Sequence, residues 1–143
     1  MARFARLTSI VDTGAVVALL DRDDAWHQRV IAWWSAARRD VLLPVTVLPE
    51  ICYLVQRRLG GEAEIRFVGA VADGEFGIEP LEPADLRRAL ELLETYRDLA
   101  IGFVDATVIA VAERLDAASV LTTDRRHFAA VRPRHVERFI LAP

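Results

Sequence analysis

The residues best equipped for chemistry are acids in apolar settings. Asp12 ends the run Leu7-Thr8-Ser9-Ile10-Val11, and Glu50 precedes Ile51-Cys52-Tyr53-Leu54-Val55. Asp105 follows Gly102-Phe103-Val104, and Asp124 follows Leu121-Thr122-Thr123. A carboxylate among apolar neighbours needs a partner or a cation to offset its lost hydration. Several carboxylates without a Cys or His cluster suit a hard, oxygen-preferring ion. Such an ion offsets repulsion among the acids and makes a bound water more acidic, which is the chemistry of metal-assisted hydrolysis. Each acid also has a plain structural use. Asp12 and Asp105 suit helix caps, Glu50 suits the positive end of a helix, and Asp124 suits a turn.

The elements that must position these acids alternate between strand and helix. Leu7 to Val11 reads as a buried strand, followed by a turn at Asp12-Thr13-Gly14 and a short helix over Ala15 to Leu20. Asp24 suits the cap of a helix over Ala25 to Arg38, with Trp26, Val30, Trp33 and Trp34 on its apolar side. Val41 to Val45 is a second strand, with Pro44 at its end or on a sheet edge. Thr46 suits the cap of a helix over Val47 to Leu59, closed by Gly60-Gly61. A helix over Glu62 to Ala72, a strand over Phe76 to Leu81 and a helix from Pro83 through Arg97 follow. Val104 to Leu115 is a helix, Ser119 to Thr122 a short buried strand, and Val136 to Leu141 a last strand. Such alternation predicts the α/β class, with a parallel sheet covered on both faces. In that architecture ligands bind beyond the carboxyl ends of strands, where Asp12 and Asp124 fall.

The chain has 143 residues, enough for one domain with a core that needs no disulfide. Its single cysteine excludes an internal disulfide framework, and a reducing compartment, the cytoplasm, is expected. No uncharged apolar run is long enough for a membrane span, and Met1 to Arg6 leads into no signal-peptide core. The net charge of -3 argues against general nucleic-acid affinity. Its distribution is uneven, because Thr122 to Pro143 carries +3 and the preceding residues -6. All 18 basic residues are arginine, which grips phosphates bidentately. Arg125 and Arg126 directly follow Asp124, and Arg132 and Arg134 are close by, so they are candidate phosphate contacts; a solvated face is the plainer alternative.

Four segments, taken together and in order, resemble the PIN-domain ribonucleases, and among them the VapC-type toxins of bacterial toxin–antitoxin pairs. They are Ile10-Val11-Asp12-Thr13-Gly14-Ala15-Val16-Val17-Ala18-Leu19-Leu20, Pro49-Glu50-Ile51-Cys52-Tyr53-Leu54, Gly102-Phe103-Val104-Asp105-Ala106-Thr107-Val108-Ile109-Ala110 and Leu121-Thr122-Thr123-Asp124-Arg125-Arg126-His127-Phe128. The residues before Thr8 form a longer lead-in than many such toxins have, which touches none of the acids. The resemblance implies a three-layer α/β/α sandwich with a central parallel sheet, spanning residues 1–143 as one PIN-like domain. It implies Mg2+ or Mn2+ as cofactor and carries the catalytic and metal-binding roles onto Asp12, Glu50, Asp105 and Asp124. Thr13, Thr107 and Thr122 become supports of the pocket. The implied activity is endoribonuclease cleavage leaving a 5′-phosphate and a 3′-hydroxyl. The implied partners are an RNA substrate, a small antitoxin and a second copy of the chain. The helices at Val47 to Leu59 and Glu62 to Ala72 are candidate walls of an antitoxin groove.

Other signals are weaker. His27, His127 and His135 are scattered, and no Gly-x-Ser-x-Gly elbow or phosphate-cradling glycine loop occurs. The apolar setting of Cys52 opposes a nucleophilic thiol, since burial raises its pKa. Trp26, Trp33 and Trp34 suit a core or interface better than base stacking. Asp98 reads as structural, paired with an arginine, and Glu113 and Asp116 as solvent-side helix acids. Three alternatives remain: an RNA-processing PIN nuclease without an antitoxin, an inactive binding module, and a phospho-receiver. The last would need a lysine that this chain lacks. A short neighbouring gene for a DNA-binding antitoxin would separate toxin from processing enzyme.

Overall fold

The computed structural model describes residues 8–37 and 40–143. Leu7, expected to open the first strand, and Arg38, expected to close the second helix, lie outside the described residues, as does the lead-in from Met1 to Arg6. Five short strands form one sheet: β1 (Ser9–Val11), β2 (Val41–Pro44), β3 (Gly77–Glu79), β4 (Ser119–Leu121) and β5 (Ile140–Ala142). Their spatial order is β3-β2-β1-β4-β5, and every pairing is parallel. β1 is central and wholly buried, as a strand covered on both faces must be. Pro44 is the last residue of β2, so its missing N–H does not interrupt the interior ladder.

The helices are α1 (Thr13–Leu20), α2 (His27–Ala37), α3 (Val47–Leu59), α4 (Gly61–Ala72), α5 (Pro83–Thr95), α6 (Phe103–Arg114) and α7 (Arg125–Ala130). They flank the sheet in two packed groups. In one, α1 packs on α2 and α3, and α3 on α4; in the other, α6 packs on α5 and α7. The two helices apolar on nearly every side, α1 and α6, are the most buried. Helix α3 is amphipathic and buries Val47, Ile51 and Val55, four residues apart. Fully buried Ile10, Ile51, Leu92, Ile109 and Leu121 join one core, each contributing about 2 kcal/mol by leaving water. Trp33 and Trp34 pack against this core, and the Trp34 ring meets Phe76 at a tilt of 59° with centroids 5.8 Å apart. Trp26 lies just before α2, and its amide donates to Asp24 Oδ1 at 2.8 Å.

Several boundaries differ from those expected. Helix α7 was not anticipated, because six residues with a single buried apolar anchor, Phe128, carry no readable period. The last strand begins at Ile140 rather than Val136. Before it, the Arg134 amide donates to Glu113 Oε2 at 2.8 Å and His135 Nε2 donates to the Ala117 carbonyl at 2.6 Å, so the chain is hooked onto α6 and the turn after it instead of joining the sheet. Helix α5 stops at Thr95, and a 3-10 turn spans Arg97–Leu99 with Ala100 left-handed at φ 51°. Thr46 does not cap α3.

Ion pairs join α5 to α6. Arg114 reaches Asp85 at 3.1 Å and Glu79 at 2.8 Å, and Arg88 Nε donates to Glu113 Oε1 at 2.7 Å. Glu113 is therefore not a solvent-side acid; its side chain is only 8% exposed and is held by Arg88. Asp116 lies just past α6 with φ 54°. Among the described residues, no helix is long and apolar enough to cross a membrane.

Candidate active site

Strands β1 and β4 are neighbours and end level with each other, with Val11 opposite Leu121. From β1 the chain moves to β2 on one side; from β4 it moves to β5 on the other. The connections diverge and leave a crevice at the carboxyl ends of the two strands. Asp12 and Asp124 are delivered there, and the Asp12 amide donates to the Leu121 carbonyl at 2.9 Å.

Asp12 is 6% exposed. Its Oδ1 accepts from the Thr13 amide at 2.8 Å and its Oδ2 from the Thr122 hydroxyl at 3.0 Å. It does cap α1, as its type allows. Burial, then the charge of Asp105 and a smaller effect of Glu50, push its carboxyl up to about 7 against the two hydrogen bonds that favour ionisation. Asp12, Asp105 and Glu50 thus share one electrostatic environment. Among the described residues no arginine pairs with any of the three.

The remaining groups arrive from three elements. Glu50 sits in the first turn of α3, and its Oε1 accepts from the Thr13 hydroxyl at 2.7 Å. Asp105 is in the first turn of α6, where Gly102 holds the capping position. Asp124 precedes α7 with its side chain 60% exposed, and its amide donates to the Thr122 hydroxyl at 3.1 Å. Thr122 therefore connects the acids of both strand ends. Gly14 lies against the Thr123 side chain, so a Cβ there would meet Oγ1 unless that hydroxyl turned away.

Thr107 is fully buried and bonds to no acid among the described residues. Its hydroxyl donates to the Val104 carbonyl at 2.7 Å, so the Thr46 hydroxyl is the donor in the 2.7 Å bond between the two threonines. Thr46, read as a cap, thus ties the start of α3 to α6, the two elements carrying Glu50 and Asp105.

The structure adds one residue to the site, His127. Its Nδ1 lies 2.9 Å from Asp105 Oδ2 and 3.9 Å from Asp124 Oδ2. Sequence reading set it aside as scattered. The available signal was its place three residues after Asp124, which a helical turn brings to the same face.

The arginines are mostly committed elsewhere. Arg125 donates from Nη2 to the Pro143 carbonyl, and its guanidinium lies 5.1 Å from the centre of Trp26, so it is not an open phosphate contact. Arg134 pairs with Glu91, and the Arg132 amide donates to the Tyr96 hydroxyl at 2.9 Å. Arg126 remains exposed beside Asp124. Asp98 is exposed and forms no ion pair among the described residues, contrary to the expected arginine partner. Burial and the Glu64 carboxylate push the Cys52 thiol up, which opposes a nucleophilic role.

The donor chemistry fits a hard divalent cation, since Asp12, Glu50 and Asp105 offer oxygen ligands and no compensating arginine. As arranged here, among the described residues no three His, Cys, Asp or Glu side chains close on a common point. Each carboxylate is held by protein donors instead.

The PIN-domain family profile matches residues 9–132, and the chain belongs to that family. It is 31% identical over 134 residues to Ribonuclease VapC26 of Mycobacterium tuberculosis, covering 94% of this chain and 99% of that protein. The crystal structure of VapC20 from M. tuberculosis, described as a Sarcin-Ricin loop cleaving toxin, superposes with a TM-score of 0.80 at 25% identity over 90% of this chain and 98% of that one. A DNA-bound VapBC complex from Salmonella typhimurium shares the fold, with a TM-score of 0.70 at 12% identity over 94% and 97% of the two chains.

Proposed function

We propose that the chain is a metal-dependent endoribonuclease and the toxin of a toxin–antitoxin pair. The observation that carries this reading is Asp12, buried, raised to about 7 and sharing its environment with Asp105 and Glu50 without an arginine. Such a carboxylate is stabilised by a proton or a cation. Asp12, Glu50 and Asp105 would hold the ion, with the exposed Asp124 at the mouth of the crevice. When bound, Mg2+ or Mn2+ supplies charge neutralisation, a grip on a phosphate oxygen and a more acidic water. The chain's own residues orient the ligands. Thr13 and Thr122 fix both oxygens of Asp12, and Thr13 also fixes one oxygen of Glu50. Arg126 is placed to meet RNA phosphate, in the cytoplasm where RNA is found.

The relatives support this reading, because one is named a ribonuclease and another a cleaving toxin. The antitoxin would lie in a groove of about 550 Å³ between α3, α4 and the end of α1, floored by Val55, Leu59 and Phe67. A homodimer would use the exposed apolar face of Leu86 and Leu90 on α5.

The test is incubation of the partner-free chain with a mixed RNA pool, with Mg2+ or Mn2+ and with chelator, beside Asp12→Asn and Asp105→Asn. Metal-dependent cleavage lost in both variants is expected. Equal cleavage by wild type and variants would mark a contaminant and defeat the proposal.

A further inference from the structure

Two of the acids share a pattern that Asp12, held at both oxygens, does not. Asp105 Oδ2 lies 2.9 Å from His127 Nδ1, and Asp105 makes no other hydrogen bond among the described residues. Glu50 Oε1 accepts from Thr13, and Glu50 likewise makes no other. Asp105 and Glu50 are thus each held by one oxygen, and the second has no protein partner among the described residues. Facing an ionised carboxylate, the imidazole must carry its proton on Nδ1 to make this bond. The ring sits on α7, whereas Asp105 is on α6, so the bond joins two helices that pack against each other.

We propose that His127 is a positioning residue for the cation site. Its Nδ1–H donates to Asp105 Oδ2, which restricts the rotation of the carboxylate and would leave Oδ1 as the oxygen available to an ion. Hydrogen bonds to ligating carboxylates have this effect at metal centres generally. This inference rests on the proposed metal-dependent nuclease, and the experiment separates the two.

Mn2+ binding to the whole chain is measured by calorimetry without RNA, for wild type, His127→Ala, His127→Gln and His127→Asn. Thermal melting of each metal-free variant verifies that it folds. The side-chain nitrogen of Asn is as many bonds from the backbone as Nδ1; that of Gln takes the place of Nε2. His127→Ala and His127→Gln are expected to weaken Mn2+ binding by about 10-fold or more, the usual effect of removing such a partner. His127→Asn is expected to recover most of the affinity. If wild type binds Mn2+ and His127→Ala binds it equally well, the inference is overturned while the nuclease reading stands. Equal weakening in Asn and Ala would also overturn it, since the Nδ1 donor would not be what matters. A wild type that binds no Mn2+ removes both.

Discussion

The Thr13 hydroxyl donates to Glu50 Oε1 across 2.7 Å, while the Thr13 amide holds Asp12 Oδ1. One residue at the start of α1 therefore sets two acids that come from different elements. Thr13→Val keeps the shape and the amide bond but removes the hydroxyl. Glu50 would then rotate freely, and metal-dependent RNA cleavage is expected to fall about 10-fold. The folded state is expected to lose about 1 kcal/mol or less, because the bond is only partly buried. Cleavage rates and urea melts check this; unchanged rates would show that Glu50 needs no such tether.

The raised carboxyl of Asp12 makes stability depend on pH. Its pKa moves from 3.8 unfolded to about 7 folded, so between those values the folded state binds more protons than the unfolded one. Stability from this group is highest below about pH 4, falls as pH rises, and levels off above about 7. The metal-free penalty above pH 7 is at most on the order of 4 kcal/mol. Asp12→Asn is therefore expected to melt higher than wild type at pH 8, even though one of its two donors loses an oxygen acceptor. Mg2+ is expected to raise the wild-type melting temperature at pH 8 and barely affect the variant. Melts across pH 4–8 test the sign.

Gly14 and Thr123 are predicted to be coupled. Gly14→Ala places a Cβ 2.4 Å from Thr123 Oγ1, and relieving that clash is expected to cost about 1–3 kcal/mol and to disturb the crevice. Thr123→Ala removes the clashing atom, and the next contact is 3.8 Å away. The double variant should recover most of the stability and activity. Additive losses in the double-mutant cycle would show that this contact does not set the spacing of the loops.

Arg114 serves Asp85, which is 2% exposed, together with Glu79. Arg114→Leu strands a buried acid, and a loss of about 3 kcal/mol is expected, with cleavage per folded molecule unchanged. Denaturant melts check this beside Asp85→Asn and the double variant: if the stranded charge is the cause, Asp85→Asn recovers most of the loss in the Arg114→Leu background, whereas additive losses would assign it to packing.

Much of the scaffold is legible from local pattern. Ile10-Val11 and Val120-Leu121 announce buried strands, and an acid just past each announces the crevice. What escapes sequence reading depends on distant neighbours. His127 looks isolated because Asp105 lies 22 residues away, and only the packing of α7 on α6 joins them. Glu113 looks solvent-facing until Arg88 is brought across from α5. Arg125 looks like a phosphate ligand until Trp26 and the Pro143 carbonyl claim it. Thr46 has the type of a cap, yet a helical backbone and a bond to Thr107 give it another task. A side chain's type lists what it can bond to; the fold decides which offer is taken.

The pairing of β1 with β4 also imposes an order in time. The Thr122 hydroxyl that holds Asp12, and the Ser119 hydroxyl that accepts from Ser9, each stand 110 residues away from their partners. Asp12 and Glu50 are made long before Ser119–Leu121, so β1 has no β4 beside it until the chain has grown well past both acids. Contacts this remote in sequence form late and slowly. A nascent chain that has not yet reached β4 therefore carries Asp12 without the Thr122 hydroxyl that holds it.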